Sequence, residues 1–278
     1  MKILIIGNGA WPTKIFNGLY SKSNKDKFNQ ISAREFLSQD SFKYIVFDCI
    51  WIATSPENQI SILSKIANYS KVVILEKPLF TTVSEYERLN FALGNFKGVA
   101  QMSTIWLYSP LWKNLEIPLE NISSISIRHK YSDLRVYCSP IFDWIPHDLY
   151  LLNALGLNIH QNSEFRTDYS SPGKLSMHFK LKPSFCIDIF FEKSEQNDFS
   201  WEIQCHDSSK VEINFSNRMF KEIRHGGTSI SHFDKLDVNA ANFMLKDYIT
   251  KTDSNLQYFI DSHFYLLNIL SFANNSLN

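Results

Sequence analysis

Short apolar runs alternate with segments of helical period through the first hundred residues, and this constrains the fold more than any other feature. "KILIIG" is a continuous apolar run, as expected of a strand buried on both faces of a parallel sheet. A helix is expected from about Pro12 to Tyr20, burying Ile15, Phe16 and Leu19. "KFNQIS" reads as a weak second strand and "AREFLSQD" as a helical turn. In "YIVFDCIWIATSP" a loop precedes a third strand, Ile50 to Ala53, which runs into Thr54-Ser55-Pro56. From Glu57 to Tyr69, helical spacing puts Ile60, Leu63, Ile66 and Ala67 on one face. "KVVILEKP" is a fourth strand, "TTVSEYERLNFALGN" a helix with Thr and Ser caps, and "GVAQMSTIWL" a fifth strand. Such alternation, with right-handed crossovers, gives a doubly wound α/β domain over residues 1–103.

The texture then changes. Residues 104–278 read as an α+β domain: a helix near Asp143 to Leu155, then "KLSMHFKL", "SFCIDIFFEK", "FSWEIQCH", "SKVEINFSN" and "MFKEIRHG". Consecutive strands joined by short polar turns imply a mainly antiparallel sheet. The tail from about Ala240 to Asn274 is again helical and is expected to pack back on the first domain.

Composition removes several function classes. Lys and Arg number 28 against 28 Asp and Glu, with no long basic run, so neither nucleic acid nor an anionic membrane is an expected partner. No apolar run approaches the ~20 residues of a membrane helix, and the apolar core of "MKILIIG" is too short for a signal peptide. Cys49, Cys138, Cys186 and Cys205 are scattered, without C-x-x-C pairs or His at zinc spacing. The expectation is a cytoplasmic, metal-free protein acting on a small molecule.

"GNGAWP" begins like a dinucleotide-binding turn. Gly7 ends the strand, Gly9 lets the backbone approach a pyrophosphate at a helix N-terminus, and Ala10 and Trp11 follow. Pro12 replaces the third glycine, which is tolerated in the first turn of a helix. On its own, the segment fits a cofactor turn or a plain tight bend. The acidic residue that selects NAD is expected at the end of the second strand. Asp26 has the right count but precedes that strand; Ser32 and Arg34 are better placed, and such a pair suits the 2′-phosphate of NADP. Arg34 equally fits a solvated helix position.

Two further segments carry a resemblance. Ala53-Thr54-Ser55-Pro56 and, about twenty residues on, Glu76-Lys77-Pro78 are similar to the A-T-x-P and E-K-P strand ends of the glucose-fructose oxidoreductase / inositol dehydrogenase / rhizopine-catabolism (Gfo/Idh/MocA) family. In "FDWIPHDLYLLNALG", Asp143 and His147 match that family's D-x-G-x-H, and at i and i+4 they share a helix face. The resemblance implies a Rossmann domain binding NAD(P) and hydride transfer to or from a secondary alcohol or ketone of a sugar, nucleotide-sugar or cyclitol-like substrate. Thr54, Ser55, Pro56, Gln59, Glu76, Lys77 and Pro78 would line the cofactor, with Glu76 on the nicotinamide ribose or carboxamide and the Lys77–Pro78 bond often cis. Lys77 would also touch substrate. His147 would be the acid/base and Asp143 its orienting partner, as an imidazole beside a carboxylate permits. Departures are Asn58 and Gln59 where many members have histidine, and "TIWLYSPLW" where many have Asn-x-Arg-Phe. Trp106 and Tyr108 therefore become a candidate stacking wall for substrate, or core, and Asp148 a helix-start carboxylate or a candidate second substrate contact. Members commonly form homo-oligomers, so a dimer or tetramer is expected. Another reductase chemistry (imine, dihydrodiol or bilin) and a non-catalytic nucleotide-sensing role remain as alternatives on the same fold.

Overall fold

A computed structural model describes residues 2–22, 28–39, 46–66, 70–115, 117–132, 140–157, 159, 164–171, 174–182, 185–233 and 237–275. The chain forms two compact units, Met1–Tyr108 with Asp237–Asn278, and Ser109–Leu236. Asp26 and Cys138 lie outside the described residues.

The first unit is built on five parallel strands: β1 (Ile3–Ile6), β2 (Phe28–Ile31), β3 (Phe47–Ile52), β4 (Ser70–Leu75) and β5 (Val99–Met102). Their order is β2-β1-β3-β4-β5, a doubly wound sheet whose direction reverses between β1 and β3. Ile3–Ile6 and Cys49–Ile52 are at most 1% exposed, which is why these strands are continuously apolar rather than alternating. The helices are α1 (Ala10–Lys22), α2 (Ala33–Ser38), α3 (Pro56–Lys65) and α4 (Val83–Asn95). Helix α1 starts two residues before the expected Pro12, so the proline falls in the first turn, where helical N–H groups have no intrahelical acceptor. Thr82 caps α4 by accepting from the Glu85 N–H at 3.2 Å, and Glu85 returns the favour by accepting from the Thr81 N–H at 2.7 Å. Helix α3 ends at Lys65, and the expected continuation over residues 67–69 lies outside the described residues.

One face of this sheet (Ile3, Ile5, Cys49, Trp51, Val72, Ile74) packs against Ile15 and Leu19 of α1 and against Ala241, Met244, Leu245 and Tyr248 from the end of the chain. Each fully buried aliphatic side chain here contributes roughly 1.5–3 kcal/mol relative to exposure. The expected single helical tail is two helices separated at residues 251–255. The break has a physical reason: it completes the exposed edge of β5. The Met102 N–H donates to Asn255 Oδ1 at 2.7 Å, Gln101 Nε2 donates to the Asp253 carbonyl at 2.6 Å, and the Asn255 N–H donates to Gln101 Oε1 at 3.1 Å. The expected extension of β5 through "TIWL" is instead a 3-10 turn, Ile105–Tyr108.

The second unit carries α5 (Pro110–Lys113), α6 (Pro140–Ala154) and eight strands: β6 (Ile122–Tyr131), β7 (Glu164–Ser171), β8 (Lys174–Lys182), β9 (Phe185–Lys193), β10 (Asp198–Cys205), β11 (Lys210–Asn214), β12 (Met219–Arg224) and β13 (Gly227–His232). Their order is β13-β12-β11-β10-β6-β9-β8-β7, antiparallel except for the β6–β9 pair. The fold class is the expected one, a Rossmann-type parallel sheet plus an α+β unit with a mainly antiparallel sheet. Sequence reading passed over β6, β7 and β13. Ile125, Ile127, His129 and Tyr131 of β6 do alternate inward, but serines and a buried histidine weaken the pattern. Every residue of β13 is exposed, as befits an edge strand with no apolar face. The remaining helices, α7 (Asp237–Thr250) and α8 (Leu256–Asn275), belong to the first unit. Among the described residues no helix is long and apolar enough to cross a membrane.

Gly7 leaves no room for a side chain. Its φ is +144°, and a Cβ there would stand 2.2 Å from the Ala53 carbonyl oxygen. Gly7→Ala is expected to lower stability by about 3 kcal/mol or more, read as a fall in thermal or denaturant midpoint.

Candidate functional site

The first unit gathers most of the sequence-predicted residues at the C-terminal ends of β1, β3 and β4. After β1 the Gly7 N–H donates to the Ile31 carbonyl and the Ala53 N–H to the Ile6 carbonyl, both at 2.8 Å, so the turn is sewn to β2 and β3. Gln30, absent from the sequence-based candidates, donates through Nε2 to the Gly7 carbonyl at 2.7 Å and to Thr13 Oγ1 at 3.2 Å. Asn8, Gly9 and Ala10 are exposed, and a Cβ on Gly9 would meet only the Pro12 ring, at 3.9 Å. The first bond of α1 runs from the Thr13 N–H to the Gly9 carbonyl at 3.2 Å. The N–H groups of Gly9, Ala10 and Trp11 thus have no acceptor within the helix, the arrangement that suits an anion.

Glu76 sits differently from expectation. Its carboxylate is buried beneath the turn, and one oxygen, Oε1, accepts from the Trp11 indole at 3.2 Å and the Trp51 indole at 3.0 Å. Burial pushes this carboxyl above its ordinary range, against the hydrogen bonds from Trp11, Ser103 and Trp51 and the Lys77 charge. Glu76 therefore braces the strand ends from inside, and Trp11 points to it. Gln59, from α3, clamps the next residues: Nε2 donates to the Glu76 and Pro78 carbonyls at 2.8 and 3.2 Å, while Oε1 accepts from the Glu76 N–H at 2.9 Å. The Lys77–Pro78 peptide bond is cis, and Lys77 is half-buried at the end of β4. Thr54 and Ser55 are half-buried, and Ser55 precedes α3 without a side-chain cap, with Pro56 at the first helical position.

At the end of β2, Ser32 caps α2 by accepting from the Glu35 N–H at 3.1 Å, and Arg34 is exposed in the first turn. The position where a carboxylate would select NAD is held by serine. Trp106 and Tyr108 do not form an open wall. Both pack on the core beside α7, and the Tyr108 hydroxyl donates to Asp247. Burial first, then Asp247, pushes the Tyr108 phenol far up.

In the second unit, α6 places Asp143 and His147 one turn apart, Asp143 half-buried and His147 8% exposed. His147 Nδ1 lies 3.0 Å from the Tyr150 hydroxyl. Asp148, expected at the substrate, is instead fully buried. Its Oδ2 accepts from His129 Nε2 at 2.7 Å and its Oδ1 from the Trp201 indole at 3.1 Å. Burial pushes the Asp148 carboxyl up, opposed by His129. Successive helix residues point about 100° apart, so Asp148 and His147 face different directions, Asp148 towards β6 and β10.

No family model and no curated protein matches the sequence. Solved structures do match the fold. A dehydrogenase (MviM) from Clostridium difficile superposes with a TM-score of 0.77 at 18% identity, covering 98% of this chain and 99% of the other. A Gfo/Idh/MocA family oxidoreductase from Vibrio cholerae gives 0.75 at 12% identity, covering 100% of both. A 3-ketoreductase from Actinomadura kijaniata, in complex with TDP-benzene and NADP, gives 0.67 at 11% identity over 96% of each. The chain has the fold of Gfo/Idh/MocA oxidoreductases.

Because the Glu76 carboxyl is raised in the folded protein, its contribution to stability is full below pH about 4.5 and is lost as pH rises through the folded value. Glu76→Gln keeps an oxygen for the indoles and removes the titration. The variant is expected to match the parent in acid and to show a flatter stability profile above that pH, measured by denaturant unfolding.

Proposed function

We propose that the chain is an NAD(P)-dependent oxidoreductase of Gfo/Idh/MocA type. It interconverts a secondary alcohol and a ketone on a sugar, nucleotide-sugar or cyclitol-like substrate. The carrying observation is the Trp11–Glu76 hydrogen bond, which joins the exposed glycine turn, beside the sheet's reversal point, to the Glu76-Lys77-cis-Pro78 loop after β4. The residues fit a dinucleotide. The first-turn N–H groups beside Gly9 would hold its pyrophosphate, Ser32 and Arg34 a 2′-phosphate, and Thr54, Ser55 and Lys77 would line the nicotinamide half. Once bound, the nicotinamide supplies the hydride acceptor or donor.

This chain's own residues supply the rest. By the family resemblance, the Lys77 ammonium would polarise the reacting oxygen, and His147 would take the hydroxyl proton in oxidation. Tyr150 fixes the His147 ring through Nδ1, and Asp143 balances the imidazolium charge. Resemblance in fold to a ketoreductase solved with TDP-benzene and NADP supports a substrate carrying a nucleotide. A homo-oligomer and an intracellular small-molecule role belong to the same proposal.

Fluorescence titration tests the cofactor. NADPH and NADH are expected to bind at micromolar concentration, NADPH the tighter, and Arg34→Ala is expected to cost NADPH about tenfold while sparing NADH. Failure of both cofactors to bind overturns the reading. Lys77→Ala is expected to lower kcat about 100-fold, with cofactor affinity held, on whichever sugar or nucleotide-sugar the parent turns over. Tight cofactor binding without turnover of any such substrate would favour the sensing role.

A further inference from the structure

The loop that carries Lys77 is held from both sides. Upstream, Gln59 takes the Glu76 N–H, the Glu76 carbonyl and the Pro78 carbonyl. Pro78 has no N–H, so the next backbone donor is Leu79, which is 1% exposed and beyond reach of water. Its N–H donates to His263 Nε2 at 3.3 Å, across 184 residues of sequence. His263 lies on α8 and is fully buried. Its Nδ1 is 2.8 Å from the Phe259 carbonyl, one turn earlier, which requires the proton on Nδ1 and leaves Nε2 as an acceptor. The ring also meets Phe80, centroids 5.5 Å apart. Burial pushes His263 down to about 4, so the ring stays in the neutral form that this bond needs.

We propose that His263 is a positioning residue for the reaction: as the neutral Nδ1–H tautomer it anchors Leu79 and so fixes the Lys77–Pro78 turn from its C-terminal side. This rests on Lys77 being a catalytic group. The geometry argues for positioning beyond packing, because the acceptor serves the first backbone donor after the turn. A packing residue has no need of a nitrogen there. Any apolar ring would fill the space against Phe80, and would leave the Leu79 N–H buried without a partner.

Three variants test it in the full chain. His263→Phe keeps a ring and removes the acceptor. His263→Asn keeps a donor for Phe259 but is too short to reach Leu79, and stands in if the phenylalanine variant fails to fold. His263→Gln restores an acceptor near the Nε2 position. Amide hydrogen exchange of Leu79, read at constant global stability, is expected to rise about tenfold or more in the phenylalanine and asparagine variants and to recover in the glutamine variant. NAD(P)H affinity is expected to stay within about threefold, with kcat down about tenfold and rescued by glutamine. Unchanged Leu79 exchange overturns the anchor. Faster exchange with unchanged kcat overturns the positioning role and leaves His263 as packing. Absence of cofactor binding in the parent overturns the oxidoreductase reading, whereas the exchange result still decides the anchor.

Discussion

Two indole N–H groups converge on one oxygen of a carboxylate buried at the centre of the first unit, and the geometry of the candidate site depends on that arrangement. Trp11 lies in the first turn of α1 and Trp51 in β3, while Glu76 ends β4. A buried carboxylate without such donors would be costly. With them it links three elements at the C-terminal edge of the sheet. Gly7 makes the arrangement sterically possible, because β1 and β3 approach too closely there for any side chain.

The loop beyond Glu76 shows the same economy of polar groups. Gln59 behaves as a surrogate peptide, accepting from the Glu76 N–H, which β3 also meets through the Ile52 carbonyl, and donating to two carbonyls around the turn. His263 completes the set at Leu79. Lys77 is thereby carried by a backbone fixed on both sides.

The second unit uses a comparable device under its helix. His129 is stacked between Phe191 and Phe199, at 4.9 and 4.7 Å, and reaches Asp148, which also takes the Trp201 indole. His129 Nδ1 has no hydrogen-bond partner among the described residues. The bracket fixes the rotation of α6 about its axis, and with it the direction of Asp143 and His147.

The parallel sheet was legible because its strands are buried on both faces and read as unbroken apolar runs. The glycine turn and the A-T-S-P and E-K-P strand ends were legible because each is local: a few consecutive residues specify a turn and its exposed groups. The β6 strand was not, since its inward positions include a histidine whose burial makes sense only beside Asp148. Nor were the inward partners of Glu76, which was read as a ligand contact, or those of Asp148, Trp106 and Tyr108, for which a ligand contact and a structural place were both open. Whether such a side chain faces a ligand or a core is set by helix rotation and strand register, and by partners 25 to 184 residues away for Glu76, Asp148, Tyr108 and His263. The sequence by itself determined the two kinds of sheet and the turns between them, through periodicity and backbone chemistry. Only the tertiary structure decided which polar groups are bound inward and which are left to act, because that depends on what each buried donor or acceptor finds opposite it.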